Sequence, residues 1–163
     1  MEIITTFFSD PNIEIYLKLF TALCLGMSLG IERAIIGKTA GMRTYGLVTM
    51  GSALFVIIGV IAGGGGVLGS DANIQSLHFA GQIITGIGFL GAGLIFIKGD
   101  SISGVTTAAS IWVSAGIGMA IGYGLYTLAV VATLFAIFVF TVLWHLENRV
   151  KALAHLEATT KEE

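Results

Sequence analysis

Five apolar stretches, each long enough to cross a lipid bilayer, dominate this sequence. They lie near residues 13–31, 45–62, 80–97, 105–122 and 124–144. About 20 residues, at a helical rise of 1.5 Å each, cross a hydrocarbon core of about 30 Å. Strands of a membrane barrel alternate polar and apolar residues, whereas these stretches are apolar all round. The sequence therefore predicts an all-α integral membrane protein with about five transmembrane helices.

The composition agrees with a membrane protein and excludes several other classes. Hydrophobic residues make up 55% of the chain and charged residues 11%, whereas an ordinary soluble domain has about 25% charged residues. With 8 basic and 10 acidic residues, the chain cannot cover the surface of a soluble domain of this size. A net charge of −2 gives no reason to expect a nucleic-acid partner, and a single cysteine excludes a disulfide framework within the chain.

Basic residues predict the orientation of the chain in the membrane. Seven of the eight fall on one side of the predicted spans, and only Lys18 falls on the other. Because basic loops stay in the cytoplasm, we expect the N-terminus outside and the C-terminus inside. The N-terminus lacks the basic region of a cleavable signal peptide, so the first span is expected to remain as an anchor. We expect residues 1–145 to form the transmembrane domain and residues 146–163 a short cytoplasmic helical tail.

Small residues recur every four positions on the first and fourth spans. The first span carries Gly26 and Gly30, and the fourth carries Ser110, Ser114 and Gly118. Such rows let another helix backbone approach closely, so that van der Waals packing drives association in lipid. We expect packing within the chain, with a homo-oligomer interface, most simply a dimer, or a groove for a partner's membrane helix as alternatives. The fifth span is bulky and is expected to face lipid, at positions that include Leu134, Phe135, Phe138 and Phe140.

A dinucleotide-like pattern, G-x-G-x-x-G, lies on the third span at Gly86, Gly88 and Gly91. The dinucleotide fingerprint requires a preceding strand, a following amphipathic helix and an acidic residue about 20 positions later, and the apolar context lacks them. We therefore predict no cofactor. The glycines are expected to permit tight helix packing or, as the alternative, to allow local unwinding that exposes carbonyl groups to a cation.

Charged residues flank the turns on the predicted cytoplasmic side. Glu32 and Arg33 end the first span, Arg43 begins the second, and Asp100 lies between the third and fourth. All of them can lie at the interface as ordinary surface charge. Because a charge at membrane depth costs at least about 2.5–3.5 kcal/mol, the alternative is a buried functional cluster in which Glu32 pairs with Arg33 or Arg43. No catalytic constellation and no metal-ligand spacing is visible, so we predict neither an enzyme nor a metal site.

Three motifs resemble those of the MgtC/SapB family, over residues 22–125. They are Gly30-Ile31-Glu32-Arg33 with Gly37-Lys38-Thr39-Ala40-Gly41-Met42-Arg43-Thr44; Gln82 with Gly86-Ile87-Gly88-Phe89-Leu90-Gly91-Ala92-Gly93; and Thr106-Thr107-Ala108-Ala109-Ser110-Ile111-Trp112. The resemblance implies a multi-pass protein of the bacterial inner membrane. Some relatives are linked to magnesium limitation, acid tolerance and survival within host cells.

The resemblance leaves two functional hypotheses. The first is a non-enzymatic regulator that binds other membrane proteins or itself through helix contacts, and the second is a transporter or channel for Mg²⁺ or another small ion. Missing carboxylates in the middle of the spans favour the first, since hard divalent ions bind several oxygen ligands. The sequence departs from the family pattern in having His78 before the third span, where arginine is common. It stops at Glu163, so we expect either a short family member without the cytoplasmic domain of longer relatives or a truncated chain.

Overall fold

A computed structural model gives the fold for residues 12–63, 72–99, 101–147 and 149–150. Within this part of the chain there are five helices and one short hairpin. The elements are α1 (Ile13–Ile35), α2 (Met42–Ala62), α3 (Ala72–Ala92), β1 (Phe96–Lys98), β2 (Ser101–Ser103), α4 (Val105–Gly122) and α5 (Tyr126–Phe138). After α5 the helix continues through a π-helical turn at Val139–Leu143 and remains helical to Glu147.

The predicted all-α membrane fold is confirmed. Four helices are long and apolar enough to cross a membrane: α1, α2, α4 and the α5 helix taken to Glu147. The remaining helix, α3, is strongly apolar from Leu77 to Ala92. Many large apolar side chains are exposed, for example Phe89 at 81% and Phe135 at 68%. Such a surface suits hydrocarbon, where apolar side chains need no polar cover.

Helix α2 is the centre of the bundle. It packs against α1 on one side and against α4 on another, while α3 contacts both α2 and α4. Helix α5 packs on α4 and reaches α1. Side chains that are fully buried, such as Tyr45, Leu29 and Ile121, come from α2, α1 and α4. These three helices therefore form the packed centre, and α3 and α5 lie against it.

The connection between α3 and α4 differs from the prediction. The third span was expected at residues 80–97, but α3 runs from Ala72 to Ala92. An antiparallel hairpin then pairs Phe96 with Ser103 and Ile97 with Ile102. An apolar run of this kind does not by itself distinguish the end of a helix from a strand. Gly104 ends the hairpin at φ +88, and a Cβ there would overlap the carbonyl oxygen of Leu94. Only glycine fits this position.

Candidate functional site

A row of buried hydroxyl groups joins α2 to α4 in the packed centre. The Tyr45 hydroxyl bonds to Oγ of Ser110, and one turn further Oγ1 of Thr49 lies 2.6 Å from Oγ of Ser114. Several of these groups also bond to their own helix, as Thr49 does when it donates to the Tyr45 carbonyl at 2.8 Å. Hydroxyl groups buried in an apolar bundle require such partners. The row thus fixes the register of α2 against α4.

Glycines bring the helix backbones close enough for these bonds. A Cβ added at Gly26 of α1 would stand 2.5 Å from Oγ1 of Thr49, and one at Gly122 would stand 2.7 Å from Cβ of Val56. At Gly118 a Cβ would overlap the Thr49 carbonyl oxygen, and at Gly30 it would overlap the backbone of Met42. The small-residue rows of the first and fourth spans therefore face α2, which is packing within the chain.

The glycines of α3 are in a different environment. Gly86 and Gly88 are exposed, and a Cβ at either would meet nothing within 4 Å. Gly91 is buried and faces Cβ of Ala108 at an ordinary 3.6 Å. The tight packing expected at Gly86 and Gly88 is therefore absent from the described residues. The helix is also unbroken from Ala72 to Ala92, so the local unwinding considered for these glycines is not found.

Glu32 and Arg33 form a buried ion pair in the last turn of α1. Nε of Arg33 lies 3.2 Å from Oε2 of Glu32, and the two side chains are 6% and 16% exposed, respectively. The contact lacks hydrogen-bond geometry: Nε and both carboxylate oxygens are buried without a hydrogen-bond partner. The Arg33 guanidinium also stacks over the Phe140 ring, at 3.7 Å from the ring centroid, where the π face attracts a cation.

Two other members of the predicted charge cluster are not brought into this pair. Arg43, at the start of α2, is exposed and forms no ion pair with any residue that the structure describes. Asp100 lies outside the described residues. Of the fourth span's threonines, Thr107 is buried and Thr106 is exposed, and both line the cavity beside the ion pair.

This cavity, of about 650 Å³, lies at the end of the bundle where α1 ends and α4 begins. Its walls include the α1–α2 loop at Lys38 and Thr39, the hairpin at Phe96 and Ser103, and the end of the α5 helix at Trp144. It combines charged and hydroxyl groups with aromatic and aliphatic ones. Among the described residues, no group of three or more His, Cys, Asp or Glu side chains could hold a metal ion.

The sequence alone did not predict that two residues, Tyr45 and Phe140, belong to the site. Tyr45, two positions after Arg43, was not among the candidate residues, yet it is fully buried and bonds across to α4. Phe140 was expected to face lipid, but it is only 7% exposed. It lies in the π-helical turn, whose altered periodicity an apolar sequence does not reveal. The available sequence signal for Tyr45 was the four-residue step to Thr49, which matches the step from Ser110 to Ser114 on α4.

Fold and site together define a multi-pass helical membrane protein with a tightly packed centre and a polar cavity at one end. Residues 19–149 match the MgtC family, and this chain belongs to that family.

Three curated relatives illustrate the similarity, each 41% identical to the chain. The Escherichia coli (strain K12) protein named "Putative magnesium transporter YhiD" aligns over 83% of this chain and 63% of its own length. "Protein SrpB" of Synechococcus elongatus aligns over 74% of this chain and 69% of its own length. "Protein MgtC" of Brucella abortus aligns over 71% of this chain and 45% of its own length. The chain thus spans about half to two thirds of these relatives, and no solved structure matches it.

Proposed function

We propose that this protein is a non-enzymatic regulator in the bacterial inner membrane, and that it binds a transmembrane helix of another membrane protein in a groove between α2 and α3. The groove, of about 610 Å³, is lined on the α2 side by Leu47, Gly51 and Phe55 and on the α3 side by Gln82 and Gly86. We call it the α2–α3 groove. The presence of this open groove between α2 and α3 is the observation on which the proposal rests.

The shape and chemistry of the groove suit a helix in particular. Gly51 and Gly86 have open space where a Cβ would stand, so the backbone of an incoming helix can approach closely. The Gln82 amide is exposed among apolar side chains, and in lipid it is stabilised only if a partner supplies a hydrogen bond. The expected occupant is therefore a helix with small residues and one polar side chain at the level of Gln82.

Transport of Mg²⁺ or another small ion is the second candidate, since one relative is named a putative magnesium transporter. The packed centre argues against it. Glycines of α1 and α4 stand in contact with α2, and the hydroxyl groups there bond to one another and to backbone carbonyls. An ion would have to break these contacts, and no carboxylate lies in the middle of the described helices to replace its water.

A photo-cross-linker placed at Phe55, which is 56% exposed in the groove, tests the proposal in cells. We expect a discrete adduct with one membrane protein, lost in Gly86→Leu, which fills the groove, and retained in Gly88→Leu. Both substitutions replace an exposed α3 glycine with open space around it, so Gly88→Leu is a matched control. The identified partner, reconstituted with the regulator, should change in activity with the wild type and with Gly88→Leu only.

The other outcomes of this experiment separate the alternatives. An adduct of twice the mass of the chain would assign the groove to the predicted homodimer. Equal adducts from wild type and Gly86→Leu would contradict docking in the groove. If no adduct forms and the purified protein conducts ions, the transporter candidate replaces the regulator.

The orientation in the membrane is part of the same proposal and has its own test. Single cysteines at Lys38 and Asn73, in a Cys24→Ser background, are treated with an impermeant thiol reagent on intact spheroplasts. The seven-to-one distribution of basic residues predicts labelling at position 73 and protection at position 38. Labelling at position 38 would invert the orientation.

A further inference from the structure

The cavity beside Glu32 and Arg33 contains buried polar atoms for which the described protein supplies no hydrogen-bond partner. Both carboxylate oxygens of Glu32 and Nε of Arg33 are in this state, and both residues line the cavity. An unsatisfied buried charged group costs far more free energy than an ordinary hydrogen bond contributes. These atoms therefore indicate a ligand that donates hydrogen bonds to the carboxylate and carries an anionic group as well.

The ends of three helices place the cavity at the depth of the lipid head groups. Helix α1 has 23 residues, which at 1.5 Å each span about 34 Å, slightly more than the hydrocarbon core. Its last turn, with Glu32 and Arg33, thus lies near the head groups. The rim of the cavity exposes apolar side chains, with Phe96 at 55% and Leu143 at 47%, as is suitable where acyl chains begin.

Charges of both signs line the cavity, because Glu147 at the end of the α5 helix lines it together with Lys38, Glu32 and Arg33. Lys38 of the α1–α2 loop lines the cavity, and α4 begins there with no side chain capping its N-terminus. The free N–H groups of a first helical turn and the helix dipole favour a phosphate. Arg33 is 5% exposed and lines the same cavity. Its Nε lies 3.2 Å from Glu32 but makes no hydrogen bond, so this cation can still receive a bond from an anionic group.

We propose that this cavity binds the head group of a phospholipid with a primary ammonium group, as in phosphatidylethanolamine. The ammonium donates hydrogen bonds to the Glu32 carboxylate. The phosphate lies at the N-terminus of α4, near Lys38 and Arg33, and the acyl chains leave over Phe96 and Leu143. An anion alone would leave the Glu32 oxygens without donors, and a divalent cation would meet Arg33 and Lys38. A zwitterion supplies hydrogen-bond donors to Glu32 and an anionic group to Lys38 and Arg33, and the site shares no lining residue with the α2–α3 groove.

Lipid retention measured by native mass spectrometry tests the proposal on the whole chain, residues 1–163. The purified protein is exchanged into equal mixtures of phosphatidylethanolamine and phosphatidylcholine, whose trimethylated nitrogen cannot donate hydrogen bonds. We expect about tenfold preferential retention of phosphatidylethanolamine, the factor that one hydrogen bond to a charged group contributes to an equilibrium constant. Phosphatidylglycerol, which is anionic, is expected to be retained no better than phosphatidylcholine.

Three variants show separately how the ammonium end and the phosphate end of the head group contribute to lipid retention. Glu32→Gln should reduce the preference to about onefold, because the neutral amide attracts the ammonium less. Lys38→Gln, on the exposed loop, should lower retention of both zwitterionic lipids equally and keep the preference, and it gives a second result if Glu32→Gln does not fold. Arg43→Gln is the matched control, since Arg43 is exposed and does not line the cavity, and it should behave as the wild type.

Several results would overturn the proposal. Equal retention of the two zwitterionic lipids by the wild type would remove the role of the ammonium. Stronger retention of phosphatidylglycerol would assign a purely anionic site, and displacement of lipid by Mg²⁺ would assign a cation site. If soluble phosphoethanolamine binds as tightly as the lipid, the ligand is a soluble zwitterion and the membrane is not its source.

Discussion

Glycines on two sides of this bundle have opposite surroundings, although their sequence patterns look alike. On α1 and α4 the glycines are in contact with α2, and Gly118 leaves no space for a Cβ against Thr49. On α3, Gly86 and Gly88 border open space. Spacing of small residues thus shows that close approach is possible, but not whether the approaching helix belongs to the same chain. In this protein the packed side holds the described helices together, and the open side is where we propose that a partner helix binds.

The largest expected effect separates these two sides directly. Gly118→Leu forces a side chain into the Thr49 backbone, and overpacking of a closely packed interior is destabilising even for single methylene groups. We expect loss of the monodisperse folded protein in mild detergent. Gly88→Leu, in open space on α3, should retain the wild-type elution profile and melting temperature within a few degrees. Equal behaviour of the two variants would remove the distinction between the sides.

The sequence predicts the membrane-spanning helices, but it does not predict which glycines are packed and which are exposed. Apolar length predicts the spans because the bilayer thickness sets it, and the described helices agree with four of the five predicted spans to within a few residues. The third differs, since an apolar run such as Leu94–Ile97 fits a helix and a strand equally well. Which side of a helix packs against the protein and which side contacts lipid is harder to predict, because both sides are apolar.

The charge cluster shows the same limit. The sequence predicts that Glu32 and Arg33 lie at the end of α1, and the structure brings their side chains together. The choice between Arg33 and Arg43 as the neighbour of Glu32 was open in the sequence, since both arginines flank one turn. The Phe140 ring beneath the guanidinium depends on a π-helical turn and on the packing of α5 against α1, which are tertiary features. The functional role of the cluster remains a prediction.

The second expected effect concerns this cluster at the end of the packed side. Removing one partner of a buried ion pair costs up to about 3–5 kcal/mol, because the other charge is left unpaired. Glu32→Gln and Arg33→Gln should each lower the unfolding free energy, and the double variant should cost less than their sum. The pair Glu32→Gln with Arg43→Gln should be additive, since Arg43 is exposed. Thermal unfolding in detergent measures both cycles, and additivity in the first would show that the residues do not interact.

A smaller effect is expected for the hydroxyl row between α2 and α4. Interhelical hydrogen bonds in membranes contribute about 0.6 kcal/mol on average and up to about 1.7. A cycle of Thr49→Val and Ser114→Ala should give a coupling energy in this range, since the two hydroxyl oxygens lie 2.6 Å apart. Thr85→Val on α3 is the control, because Thr85 is exposed and bonds only to the Gly81 carbonyl of its own helix. A larger loss from the control than from the pair would reverse the assignment of the two sides.

The most direct test of the account is ion flux through the purified protein, because the proposed regulator needs no ion path through the packed centre of the described helices. Liposomes containing a Mg²⁺-sensitive dye and the wild-type protein should take up Mg²⁺ no faster than protein-free liposomes, while an added ionophore gives full uptake. Uptake that rises with the amount of protein, saturates with Mg²⁺ and changes in Thr49→Val or Ser114→Ala would place an ion path through the centre and contradict the account.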